Sequence, residues 1–183
     1  MNTDEARALM HEWTESASLR VHMESVAASM GAMAERLEPA ERDRWVVCGL
    51  LHDFDYEKHP TEAEHPFVGV KHLESLGVDD EIRTAILGHA EYAGVARESA
   101  MAKALYAVDE LSGFIVACAK VRPNGIAGMT AKSVKKKLKD KRFAAAVSRE
   151  SIRDGVEELG VELDGHIQVC IDAIGAKAGA LGL

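Results

Sequence analysis

Residues 19–53 read LRVHMESVAASMGAMAERLEPAERDRWVVCGLLHD. Leu19, Met23, Val26, Met30, Met33 and Leu37 recur at alternating steps of four and three, which places them along one face of an α-helix. Pro39 suits the first turn of a second helix, because proline needs no hydrogen-bond partner for its nitrogen there. That helix carries Trp45, Val46, Leu50 and Leu51 and ends on the adjacent pair His52-Asp53.

The same period continues outward. After a polar loop with two prolines, DFDYEKHPTEAEHP, the spacing predicts a helix from about Pro66 to Leu76, stopped by Gly77. Asp79, Asp80 and Glu81 open another, with Ile82, Ala85, Ile86 and His89 on one face; acids there suit the helix dipole. A long helix is expected from Ser99 to Val121, then a loop, RPNGIAG. Shorter helices follow, with Thr130 and Ser148 as N-caps and Gly160 as a stop. A last helix spans about Gly165 to Ala176, and the Gly/Ala-rich tail GAKAGALGL is expected to fray. No alternating strand pattern and no internal repeat interrupt the series, so the fold class is all-α.

Composition agrees. The 183 residues are 47% hydrophobic and 28% charged but only 5% aromatic. The core therefore rests on Ala, Leu, Val, Ile and Met, a palette that favours helices over strands. A chain of this length defaults to one domain. No segment approaches the roughly 18 uninterrupted apolar residues of a membrane span, and MNTDEARALMHEW has acids where a signal peptide needs basic residues. Cys48, Cys118 and Cys170 stand singly in apolar surroundings without CxxC spacing, as reduced core thiols of a cytoplasmic protein would.

The net charge of −8 argues against an extended nucleic-acid surface. It is unevenly spread: residues 120–142 hold nine Lys/Arg against one acid, a local +8, so everything outside that window sums to −16. The basic stretch SVKKKLKDKR reads either as a solvated helix face or as a rim that attracts phosphate.

Chemistry is carried by metal-type ligands on the inner edges of these helices. His22 flanks the first apolar stripe, His52 and Asp53 end an apolar helix, His89 shares a face with Ile82 and Ile86, and Asp109 lies in LYAVDELSG one turn from Leu105. A carboxylate on an apolar face costs on the order of several kcal/mol unless a cation or hydrogen bonds compensate it. Taken alone, each histidine reads more simply as a core residue bonded to a carbonyl. A shared divalent cation would compensate all five together.

The order His22, His52-Asp53 and Asp109, on helices at these intervals, resembles the HD-domain superfamily of metal-dependent phosphohydrolases. The resemblance covers about residues 18–120; within a C-terminal helical extension of about 121–183, the stretch from KSVKKKLKDKRFA through SRESIRDGVEELGV also resembles that of small stand-alone bacterial members. It implies a single HD-type domain across 1–183 built as a helical bundle. The implied activity is cleavage of a phosphate ester, of a nucleotide or another small molecule, by metal-activated water. It also implies that His22, His52, Asp53 and Asp109 bind a divalent metal, with Fe, Mn, Co, Ni or Mg as candidates. His65, in HPFVGVKHL, and His89, in ILGHAEY, resemble the added histidines of two-metal members. Asp53 would then bridge the ions and position the attacking hydroxide, while a one-metal site, with His65 as a surface or capping residue, stays open. Ala90 stands where the HD-GYP phosphodiesterases have a second histidine, and no GYP motif follows, so cyclic dinucleotide cleavage is not expected.

Two other activities fit the same ligands: a di-iron oxygenase of the HD type, and a signalling or binding module without turnover. His11, His59, His72 and His166 match no position of the pattern and are assigned to surface or packing. Asp55 and Glu91 are either residues that orient a ligand or water, or solvated loop acids. Lys58 and Arg97 are expected to be solvated rather than bound to substrate. The expected partner is a phosphorylated small molecule, and the Ala/Met-rich helices offer a face for a homodimer.

Overall fold

The computed structural model describes all residues, 1–183, and contains ten α-helices and no strand. Helix α1 (Thr3–Trp13) precedes the first helix read from the pattern. Its start is a capping box: the Asn2 side chain accepts from the backbone of Asp4 and Glu5, and the Glu5 carboxylate accepts from Asn2 N–H. Ala6, Leu9 and Met10 form its buried face.

The decisive pair follows as α2 (Ala17–Leu37) and α3 (Arg42–Leu51), with Pro39–Glu41 as a 3-10 turn between them. Their contact is close because Gly49 of α3 faces Ala27 of α2; a Cβ on Gly49 would lie 2.7 Å from the Ala27 Cα. This approach sets the separation between His22 on α2 and His52, one turn beyond Gly49.

Helices α4 (Phe67–Ser75), α5 (Asp80–His89) and α6 (Ala100–Lys120) come next, then α7 (Ala131–Leu138), α8 (Arg149–Leu159), α9 (Leu163–Gly175) and α10 (Ala178–Leu181). The caps are those the sequence announces: Asp79, Ser99, Thr130 and Ser148 each accept from a backbone N–H in the first turn they precede. Helix α6 is apolar nearly all round, from Met101 to Ala119, and lies at the centre, against α2, α5, α8 and α9. One hydrophobic cluster joins residues from α1 through Leu181 of α10.

The tail does not fray. Ala178–Leu181 forms a helical turn, Leu181 is buried, and the backbone of Leu183 packs against Gly125. Weak local propensity is overridden there by tertiary contact. The three cysteines are free and buried, and burial pushes the thiols up, to about 11 for Cys118 and about 12 for Cys170. No helix is long and apolar enough to cross a membrane.

Candidate metal centre

The ends of α3 and α5, the inner faces of α2 and α6, and the loop ahead of α4 converge on a cavity of about 470 Å³. Helix α2 delivers His22, and the C-terminal end of α3 delivers His52 and Asp53. His65 stands just before α4, His89 is the last residue of α5, and Asp109 lies midway along α6. Their donor atoms form two clusters. In the first, His22 Nε2 lies 3.1 Å from His52 Nε2, 3.0 Å from Asp109 Oδ1 and 3.5 Å from Asp53 Oδ2. His52 Nε2 is 3.4 Å from both of those carboxylate oxygens. In the second, His65 Nε2, His89 Nε2 and Asp53 Oδ1 are each 3.3 Å apart. Asp53 belongs to both, with one oxygen in each.

These spacings fit a divalent ion. Bonds of about 2.1 Å set neighbouring donors ~3.0 Å apart at right angles and ~3.4 Å apart at tetrahedral angles. The donor set is imidazole and carboxylate without thiolate, a set that could hold a divalent ion. Three of the four rings are held from behind. His52 Nδ1 lies 2.9 Å from the Gly49 carbonyl, His89 Nδ1 2.5 Å from that of Ile86, and His65 Nδ1 2.8 Å from Asp55 Oδ1. A proton on each Nδ1 leaves Nε2 as the free electron pair facing the cluster.

Without a cation the clusters hold protons instead. Burial opposes charge on His52, but Asp53 and Asp109 outweigh it and hold the imidazole well above its ordinary value. Burial likewise opposes charge on the two aspartates, and His52 with the other imidazoles holds both carboxyls well below the usual range. His65 is disfavoured by burial yet lifted to about 9 by Asp53 and Asp55. Each such proton must leave before its nitrogen can bind a metal.

Asp55 is buried, not solvated: its Oδ2 accepts the Gly69 N–H at 2.7 Å while its Oδ1 serves His65. Only glycine fits at 69, because a Cβ would meet the Asp55 carboxyl carbon at 2.6 Å. The loop after Asp53 is pinned by the end of α1, which the periodic pattern left out, and by the residues that follow it. Thr14 Oγ1 donates to the Phe54 carbonyl, Glu57 accepts from the backbone of Glu15 and Ser16, and Trp13 packs on Phe54 and His72.

Glu91 lines the cavity and accepts from the Tyr106 hydroxyl at 2.6 Å. Sequence reasoning passed over Glu110, which also lines it; burial and then Asp109 push its carboxyl up to about 7. The remaining histidines stand apart. His11 is exposed, His59 pairs with Glu64, His72 packs on Trp13, and buried His166 bonds the Ala107 carbonyl. Lys58 lies over the Trp13 ring, and Arg97 is bound to Glu158 and the Gly88 carbonyl. The basic window does not form a rim of this cavity: Lys135, Lys139 and Lys141 line a separate cleft between α7 and α8, and Lys136 and Lys137 line another.

This is an all-helical bundle that gathers four histidines and two aspartates into groups that could hold metal ions. The chain belongs to the HD domain family, whose family model matches residues 20–113 and thereby spans all six of these side chains. No curated protein and no solved structure matches the chain.

Proposed function

We propose that the protein is a metal-dependent phosphohydrolase that cleaves the phosphate ester of a small molecule. The observation that carries this reading is the pair of His/Asp clusters sharing Asp53 at the floor of an open cavity. His22, His52, Asp53 and Asp109 would hold one divalent ion, and His65, His89 and Asp53 a second. When bound, a divalent ion supplies Lewis acidity at a phosphoryl oxygen and makes water acidic enough to be a nucleophile near neutral pH.

The chain's own part is preorganisation. The carbonyls of Gly49 and Ile86 and the Asp55 carboxylate hold three imidazoles in the tautomer that presents Nε2. Asp53 offers one oxygen to each cluster, a geometry only a carboxylate provides among these residue types. The buried position of His52 and His65 excludes bulk water from behind the ligands, while the cavity leaves one side open to substrate.

The test is metal analysis of the purified protein followed by turnover of p-nitrophenyl phosphate, its bis ester and a nucleotide panel. Asp53→Ala is expected to lose metal and turnover together. Normal metal content with full turnover in that variant would refute the assignment. Bound metal with oxygen consumption and no phosphatase turnover would assign the centre to oxygenase chemistry instead.

A further inference from the structure

The cavity over the two clusters is lined by no lysine and no arginine. Beyond five of the six candidate ligands (His52 lies buried behind them), its wall presents two carboxylates, Glu91 and Glu110, and all three tyrosines of the chain, Tyr56, Tyr92 and Tyr106. One Glu91 oxygen takes the Tyr106 hydroxyl, and one Glu110 oxygen takes the Ser148 N–H, leaving each carboxylate a second oxygen for a ligand. The cations nearby are committed elsewhere. Arg97 stacks on the Tyr106 ring and is forked onto Glu158; Lys135, Lys139 and Lys141 line the other cleft, which shares only Val147 with this one, and Lys136 and Lys137 line a third.

A phosphoryl group can therefore be neutralised only at the floor, where the clusters lie. Any second anionic group on the same molecule would stand among two carboxylates and three tyrosines with no cation to meet it. A hydroxyl or an ammonium group, in contrast, finds acceptors in Glu91 and Glu110 and the π faces of the tyrosines.

We propose that the substrate carries a single phosphoryl group on a compact, neutral or cationic alcohol portion, and that Glu91 and Glu110 reject molecules with a second anionic group. This rests on the phosphohydrolase reading above and narrows it, setting nucleoside di- and triphosphates aside.

The test uses three phosphonates of similar size that resist hydrolysis: aminoethylphosphonate, propylphosphonate and phosphonopropionate, whose far ends are cationic, neutral and anionic. Each is titrated calorimetrically into metal-loaded protein at a pH where all carboxylates are ionised. The first two are expected to bind at least about tenfold more tightly than phosphonopropionate. Glu91→Gln and Glu110→Gln, singly and together, are expected to narrow that gap, with metal content and helical circular dichroism read alongside to confirm a folded, loaded centre. Equal or tighter binding of phosphonopropionate overturns the proposal, as does a gap unchanged in the folded variants or no binding of any probe. Protein that takes up no metal overturns the phosphohydrolase reading itself. Metal-dependent turnover of p-nitrophenyl phosphate together with the reverse probe order overturns the charge selection alone.

Discussion

Asp55→Asn exchanges one atom at a buried position and should disable one of the two clusters. Asp55 accepts two hydrogen bonds with its two oxygens, from His65 Nδ1–H at 2.8 Å and from Gly69 N–H at 2.7 Å. An amide has a single oxygen. If that oxygen stays with Gly69, the NH2 faces His65 Nδ1, which must then accept; the ring proton moves to Nε2 and blocks the electron pair aimed at the cluster. If it stays with His65, the Gly69 N–H is left buried against a donor, at a cost of about 1–3 kcal/mol. Loss of such a supporting carboxylate typically weakens metal binding about 10–100-fold, or ~1.4–2.7 kcal/mol. The effect should fall on one ion only, because the cluster of His22, His52 and Asp109 has no contact with Asp55. Calorimetric titration of metal into stripped protein should show a weakened second equivalent and a first equivalent near the wild-type value, which also shows that the variant is folded. Gly69→Ala reaches the same bond from the other side, since its Cβ would displace the Asp55 carboxylate, and should reproduce the loss. Two equivalents bound with wild-type affinity in Asp55→Asn would refute the supporting role of this residue.

Other outcomes follow from the same geometry. His65, lifted from its ordinary 6.5 to about 9 in the metal-free protein, contributes stability that is complete below pH 6.5 and is lost as pH rises through about 9. The melting temperature of stripped protein should fall across that window while metal affinity rises and protons are released on binding; a melting temperature that climbs with pH there would contradict it. Gly49→Ala should separate α2 from α3 at Ala27, costing about 1–3 kcal/mol and lowering the melting temperature by several degrees, with weaker first-equivalent metal binding. Wild-type values in both measurements would exclude this contact as the one that sets the spacing of His22 and His52. His89→Ala should remove the second metal equivalent and spare the first, checked by the metal-to-protein ratio of purified protein.

What the chain determined locally is what depends on neighbours three or four residues away. The apolar steps from Leu19 to Leu37, the caps at Asp79, Ser99, Thr130 and Ser148, and the stop at Gly160 are short-range chemistry, and each stands where its residue type demands. The order of His22, His52-Asp53, His65, His89 and Asp109 was legible for the same reason, since each sits on the inner edge of a helix or just ahead of one. The tertiary structure decided the rest. Helix α1 was missed because its short apolar face, Ala6, Leu9 and Met10, shows only when the helix is packed on α3. Asp55 and Glu91 are both acids two residues beyond a candidate ligand, Asp53 and His89, and nothing local separates them. One is buried because Gly69, fourteen residues on, lets a helix N–H approach it; the other faces the cavity because Tyr106 of α6 reaches it. The basic window could be read in sequence as a rim for phosphate, but the packing of α7 and α8 turns its cations to other clefts and leaves the metal-type cavity walled by acids and tyrosines. Periodicity says which face of a helix turns inward; only the packing of one helix on another says what that face meets.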